Sequence, residues 1–219
     1  RNPEIYFKTN VLSRAEIFKY LSSIKFLSKY IYISTPEVFG SSKKYINENN
    51  FSYNPSTPYA TSKLTAELLI KNYHNFHKFP AIITRFSNFY GPGQPLYRLI
   101  PKIISCIDTQ SNFPVEGSGL SKRNFIFSHD FCNGIYKTIT NGKIGKIYHF
   151  SGDKFYKVLD IIKAICDLKS FKIKKLIKRI PGRIGQDFLY KLGSFQTRKA
   201  LKWKPVYSLK RGLKEIIMY

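Results

Sequence analysis

The stretch STPYATSKLTAELLIKNYHNFHKFPAIITRFS, residues 56–87, decides the fold. It opens on Ser56, Thr57 and Pro58, a hydroxyl cap followed by proline, which signals a helix start. The pattern predicts a helix to about His77. Ala81–Ser87 is then a short β-branched run that ends at the breaker cluster GPGQP, residues 91–95, and predicts a buried strand. Upstream, KYIYIS (Lys29–Ser34) predicts a second buried strand. Asn10–Ser23 carries Val11, Leu12, Ile17, Phe18 and Leu21 at amphipathic helical spacing. Helix, strand, helix, strand calls for parallel pairing through crossover helices.

Beyond Pro95 the pattern changes. Tyr97–Asp108, His129–Thr140, Tyr156–Leu168, Ser194–Leu201 and Ser208–Tyr219 read as helices. Asn124–Phe127 and Lys146–Phe150 read as short strands. Ser41–Pro55 reads as a long polar loop, and Lys169–Arg183 holds seven basic residues and no acidic one. The fold class is therefore α/β. A boundary near Gly91–Gln94 divides residues 1–91 from a mixed α/β part, residues 92–219.

The chain has 219 residues, enough for one large domain or two small ones with a sizeable core. Hydrophobic residues at 43% and charged residues at 23% exclude wholesale disorder. No stretch reaches the roughly 18 apolar residues of a membrane helix. Against 13 acidic residues stand 37 basic ones, a net charge of +24, which fits an anionic partner. Lysine supplies 28 of the 37, and Ile, Asn, Phe and Tyr are also plentiful, a composition that A/T-rich codon usage would produce without any anionic partner. Cys106, Cys132 and Cys166 are far apart and form no CxxC, which argues against a metal cage or disulfide framework and for a reduced, cytoplasmic protein. The chain begins with Arg1 rather than Met and shows no signal segment, so it reads as a fragment.

Tyr59 and Lys63 stand at i and i+4, on one helix face roughly 5–6 Å apart. A lysine ammonium beside a phenol favours the phenolate, and would make Tyr59 a usable base for a hydroxyl proton. The spacing alone is weak, since so many Tyr and Lys produce such pairs by chance. Context adds weight. The strand IYIS runs into Thr35, Pro36, Glu37, Val38, Phe39 and Gly40, and a loop at the carboxyl end of a parallel strand is where α/β folds bind ligands. The second strand also ends in a polar loop, Ser87–Gly91.

STPEVFG, PSTPYATSK, TRFSNFYGPGQ and RNFIFSHD, in that order, resemble the extended short-chain dehydrogenase/reductases. Among these the chain is most similar to the NAD-dependent nucleotide-sugar epimerases and dehydratases, dTDP-glucose 4,6-dehydratases above all. The resemblance implies the C-terminal part of a Rossmann-type parallel sheet followed by a smaller substrate-binding domain. The family's GxxGxxG turn is not in this sequence and would lie upstream of Arg1. By resemblance, Tyr59 takes the proton of the sugar 4-hydroxyl, Lys63 binds the nicotinamide ribose, Thr35 bonds the 4-oxygen and Glu37 removes the C5 proton. Ser34 and Phe89 join Tyr59 and Lys63 as implied NAD contacts. Asn88, Arg98, Leu99, Pro114, Glu116, Arg123, His149 and Arg183 fall at implied contacts to a nucleotide-diphosphate sugar. Pro36 stands where the dTDP-glucose enzymes have an acidic residue that protonates the leaving 6-hydroxyl.

The implied reaction is oxidation at C4, loss of water across C5 and C6, and return of hydride to C6. A 4-epimerase, a decarboxylase or an inactive relative are the alternatives. The resemblance also implies a homodimer, with no membrane attachment and no nucleic acid. A basic nucleic-acid module is the competing class; salt-dependent binding would mark it. The absent strands would expose a sheet edge, so the 219-residue chain alone is expected to be poorly soluble. A monodisperse sample that melts cooperatively would contradict this.

Overall fold

A computed structural model of the chain describes residues 2–182 and 188–219. In chain order its elements are α1 (Pro3–Phe7), a π-helical turn (Lys8–Leu12), α2 (Ser13–Leu21), β1 (Tyr30–Ser34), a 3-10 turn (Pro36–Phe39), β2 (Ser42–Ile46), α3 (Pro58–His77), β3 (Ala81–Phe86), β4 (Asn88–Tyr90), α4 (Leu99–Asp108) and β5 (Phe113–Glu116). Then follow β6 (Lys122–Phe127), α5 (Ser128–Asn141), β7 (Ile147–Phe150), β8 (Phe155–Lys157), α6 (Val158–Leu168), α7 (Ile173–Leu176), β9 (Ile177–Ile180), β10 (Tyr190–Leu192), α8 (Phe195–Leu201) and α9 (Leu209–Met218). The fold is α/β.

The chain forms two compact units. The first holds residues up to Phe86, Asn133–Phe150 and Tyr190–Trp203; the second holds Ser87–Cys132, Ser151–Leu189 and Lys204–Tyr219. One cut near residue 91 does not describe them, because the chain returns twice to the first unit. The two returning segments carry β7, β10 and α8, whose partners lie early in the chain. No local sequence signal marks such a return.

In the first unit β1, β3 and β7 form a parallel sheet in the order β1-β3-β7. The register sets Tyr30 against Ala81 and Ser34 against Arg85. Every residue of β3 is buried, as a strand paired on both edges and covered on its faces requires. α3 begins where the sequence places it: Thr57 Oγ1 accepts from Ala60 N–H at 3.1 Å, with Pro58 in the first turn. It ends on Lys78, which adopts φ 57°. Ala66 and Ile70 of α3 pack on Tyr32, Ala81 and Ile83 of the sheet, together with Phe18 and Phe79.

A second parallel pair, β2 with β10, lies in the first unit. β2 occupies part of the expected loop 41–55, where SKKYI shows one buried residue, Ile46. Its sequence is too polar to announce a strand; pairing with a segment some 150 residues later creates it.

The second unit joins β4, β6 and β8 in one sheet and β5 with β9 in another. α4, α6 and α9 bury Ile100, Ile103, Ile161, Ile162, Ile165 and Leu213 with Phe113, Val115 and Phe127. β9 runs inside the basic stretch 169–183, with Lys178 and Arg179 outward and Ile177 and Ile180 half-buried. Asp130, fully buried in the first turn of α5, does more than complement the helix end. Its two carboxylate oxygens accept from the backbone N–H groups of Val206 and Tyr207, each at 3.0 Å. Asp130→Ala would remove the acceptor of two backbone amides, on exposed Val206 and half-buried Tyr207, and should cost on the order of 1–2 kcal/mol in urea unfolding. An unchanged midpoint would show that water replaces the carboxylate.

Candidate active site

The turn after β1 is built by its own sequence. Thr35, extended at φ −134°, caps the 3-10 turn by accepting from Glu37 N–H at 3.3 Å. Pro36 occupies the first position of that turn, where its fixed φ is accommodated and no N–H is needed. Gly40 adopts φ +64°, and a Cβ there would sit 2.2 Å from the Asn54 carbonyl oxygen, so this position needs glycine. Val38 and Phe39 turn inward and pack with Leu64 of α3. That contact brings the strand-end turn beside the turn of α3 that carries Lys63, and leaves Glu37 half-buried.

Tyr59 lies in the first turn of α3, half-buried, its ring edge-on to Tyr6 at 5.7 Å. Lys63, one turn on, is buried. Its ammonium donates to the Ile33 carbonyl at 2.7 Å and lies 4.2 Å from the centre of the Tyr32 ring. Burial, aided by the Arg14 cation and opposed by the Glu67 carboxylate, pulls the Lys63 pKa down to about 8. Around this ammonium are polar atoms with no partner among the described residues: the Tyr32 hydroxyl, the Ser34 hydroxyl and Arg14 Nε. Tyr32 is 2% exposed, and burial keeps its phenol protonated well past the usual range. Such orphaned groups at the carboxyl end of a parallel strand suit a bound polar ligand.

Several expected residues thus meet in the first unit: Ser34, Thr35, Glu37, Tyr59 and Lys63 share the end of β1 and the start of α3. The remaining described ones, His149 apart, lie in the second unit. Asn88 is half-buried in β4, paired in register with Phe125. Phe89 is exposed and stacks on Phe131 at 4.4 Å. Arg98 is exposed at the cap of α4, its guanidinium over the Tyr97 ring, while Leu99 packs against the core. Pro114 and Glu116 share the half-buried face of β5, opposite the inward Phe113 and Val115. Arg123 Nη1 donates to the carbonyls of Lys122 at 2.9 Å and Phe188 at 3.2 Å. Arg183 lies outside the described residues.

His149 departs from expectation. It is wholly buried in β7 and presents no surface to a ligand. Its Nδ1 meets the Gly193 carbonyl at 3.1 Å and its Nε2 meets Arg85 Nη1 at 3.1 Å. Arginine can only donate, so Nε2 accepts and Nδ1 carries the proton. Burial and the Arg85 charge push its pKa down to about 3, so the ring is neutral.

Two residues were missed. Asn10 sits in the π-helical turn Lys8–Leu12, and its Nδ2 donates to Ser62 Oγ at 3.0 Å, which in turn donates to the Tyr59 carbonyl at 2.8 Å. A π turn marks many functional sites, but no sequence pattern announces one. Glu67 continues the Tyr59 and Lys63 stripe by one more turn, a signal that was present.

Residues 1–150 match the NAD dependent epimerase/dehydratase family. The chain belongs to that family. A dTDP-D-glucose 4,6-dehydratase of Mus musculus is 31% identical over 196 residues, covering 87% of this chain and 55% of the relative. A dTDP-glucose 4,6-dehydratase of Streptomyces niveus is 29% identical over 97% of the chain and 62% of its own length. The chain thus spans little more than half the length of these relatives. Among solved structures, a dTDP-glucose 4,6-dehydratase from Streptomyces venezuelae with NAD bound superposes at TM-score 0.95 and 25% identity, over 99% of this chain and 67% of that one. A UDP-glucuronic acid 4-epimerase from Bacillus cereus shares the fold at TM-score 0.90 and 24% identity, over 96% of this chain and 66% of that one.

The low pKa of Lys63 carries a stability consequence. The folded chain is penalised wherever this lysine is protonated, fully below about pH 8, and the penalty fades between about 8 and 10.5. Lys63→Met should therefore raise stability at pH 7 by on the order of 1–3 kcal/mol, and by less above pH 10. Thermal melts at both pH values check this; a destabilised variant at pH 7 would refute it.

Proposed function

We propose that the chain is the catalytic and substrate-side part of an NAD-dependent nucleotide-sugar 4,6-dehydratase. The observation that carries this is Glu37 on the turn after β1, packed beside the helix of Tyr59 and Lys63. Tyr59 and Lys63 alone suit any sugar oxidation in the family. A half-buried carboxylate at the same strand end adds a base for a carbon-bound proton.

The residues fit the dinucleotide. Lys63 and the unpartnered Ser34 hydroxyl would hold its nicotinamide ribose and amide. When bound, the dinucleotide accepts hydride from the sugar and later returns it. The chain's own residues handle the protons. Tyr59 takes the proton of the 4-hydroxyl as oxidation proceeds, and the Lys63 ammonium stabilises the phenolate that this requires. Thr35 donates to the 4-oxygen. The resulting ketone acidifies the neighbouring C5–H, and Glu37 removes that proton. The 6-hydroxyl then leaves as water, its proton supplied by Glu37 once it holds the C5 proton or by solvent, and a double bond forms between C5 and C6. In the second unit, Arg123 suits the diphosphate, since a guanidinium can meet phosphate oxygens in bidentate fashion. Asn88, Pro114 and Glu116 would line the sugar and base. The substrate is then a nucleotide-diphosphate sugar, with a homodimer as the assembly and the cytoplasm as the compartment.

Pro36 favours a second reading. It offers no acid to the leaving hydroxyl, so a decarboxylase or a 4-epimerase keeps the same first step without that requirement.

The test is product mass after the full-length protein meets a panel of nucleotide sugars with NAD. Loss of one water, abolished by Glu37→Gln and by Tyr59→Phe, is the expected outcome. Each substitution should lower kcat by roughly 100-fold or more. Loss of carbon dioxide from a uronic acid sugar would make it a decarboxylase. An unchanged mass with altered configuration would make it an epimerase.

A further inference from the structure

The helix that carries Tyr59 and Lys63 is held to the sheet by more than the apolar packing of Ala66 and Ile70. Tyr59, Lys63 and Glu67 occupy successive turns of α3 on one face. Glu67 is fully buried, as is Arg85 opposite it on β3. The two join side by side: Arg85 Nε donates to Glu67 Oε1 at 2.9 Å, and Arg85 Nη2 donates to Oε2. Arg85 is the last residue but one of β3 and stands in register with Ser34 at the end of β1. Its other donors are fixed too, by His149 Nε2 at 3.1 Å and the Tyr53 hydroxyl at 3.1 Å. The plane of the guanidinium lies over the Phe39 ring at 4.7 Å, and Phe39 belongs to the turn that carries Glu37.

Such a pair is costly to desolvate, and packing alone could join α3 to the sheet with apolar residues. What a bidentate pair adds is orientation, because the planar fork accepts a carboxylate in one arrangement. Arg85 touches both the helix of Tyr59 and Lys63 and the turn of Glu37. It is the common reference for the two halves of the site.

We propose that Glu67 is a positioning residue for this site: its grip on Arg85 sets the height and rotation of α3 against the strand ends, and with them the placement of Tyr59 and Lys63. This rests on the dehydratase reading for its catalytic consequence, though not for its geometry. A second effect accompanies the first. The groups facing Lys63 are Arg14 from α2, Tyr32 from β1 and Glu67 from α3, and of these only Glu67 is a carboxylate. Its charge holds Lys63 protonated against burial and Arg14.

Two variants of the full-length protein separate placement from charge. Glu67→Asp keeps the charge and withdraws the carboxylate by one methylene. Glu67→Gln keeps the length and removes the charge. Melting curves first establish that each is folded. The expected result for Glu67→Asp is a roughly 100-fold lower kcat with KM little changed, the signature of a misplaced catalytic group. For Glu67→Gln, the pH at which Lys63 is half-labelled by an amine acetylating reagent should fall below its starting value near 8. Lowered melting temperatures with wild-type kcat and an unmoved labelling midpoint would overturn the proposal and leave Glu67 purely structural. If the wild-type protein turns over no nucleotide sugar, the dehydratase reading fails by itself. The labelling midpoint of Glu67→Asp then decides, since this variant keeps the charge and alters only placement: a shifted midpoint supports the proposal and an unmoved one overturns it.

Discussion

A guanidinium with no exposure to solvent, near the end of a sheet strand, is the constraint on which the first unit depends. An isolated buried charge costs several kcal/mol, so every donor on Arg85 must find a partner. The partners come from distant parts of the chain: Glu67 from α3, Tyr53 from the segment before it, His149 from β7. The demand then propagates. His149 must be neutral and must point Nδ1 at Gly193, beside β10. Its backbone N–H donates to Thr197 Oγ1 at 2.7 Å, and Thr197 donates to the buried Glu48 carboxylate at 2.7 Å. One charge therefore ties together α3, the segment between β2 and α3, β7 and α8.

That network explains which parts of the fold were legible. α3 and β3 were readable because a cap, a proline and a β-branched run are local signals. β1 was readable for the same reason. β2 was not, since SKKYI becomes a strand only through pairing with Tyr190–Leu192. The return of residues 133–150 and 190–203 to the first unit was likewise invisible, being fixed by strand pairings far apart in sequence, Ile147 with Ile83 and Tyr190 with Ser42. The helix expected over Asn10–Ser23 exists but starts earlier, with a π turn at Lys8–Leu12, and the apolar periodicity of the segment gave no hint of it.

The site divides in the same way. Thr35, Glu37, Tyr59 and Lys63 each belong to a short contiguous block, and the structure brings those blocks to the end of β1 and the start of α3. His149 was placed among ligand contacts because its block resembles one that ends near substrate. Its side chain instead answers to Arg85, a partner 64 positions away. Glu67 was overlooked although its spacing was in plain view, because a glutamate on a helix is usually a solvated residue. Only burial distinguishes it, and burial is a property of the assembled unit.

Pro36 is where local structure and chemistry pull apart. At the first position of the 3-10 turn, proline is favourable: φ is already set and no N–H is lost. It leaves the Thr35 cap and the inward turn of Val38 and Phe39 intact. The substitution is therefore easy for the fold and removes nothing but a side-chain acid. The turn keeps Glu37 half-buried and sets no second carboxylate beside it; under the proposed reaction it offers a base for a carbon-bound proton. It is not arranged for delivering one from the adjacent position. Any elimination here must draw its acid from Glu37 itself once protonated, from Tyr59 after it has received the hydroxyl proton, or from water. Neither decarboxylation nor 4-epimerisation expels a hydroxyl, although decarboxylation must still return a proton to C5. Under the proposed reaction, residue 36 thus bears only on the supply of acid to a leaving hydroxyl, while the oxidation step would rest on α3.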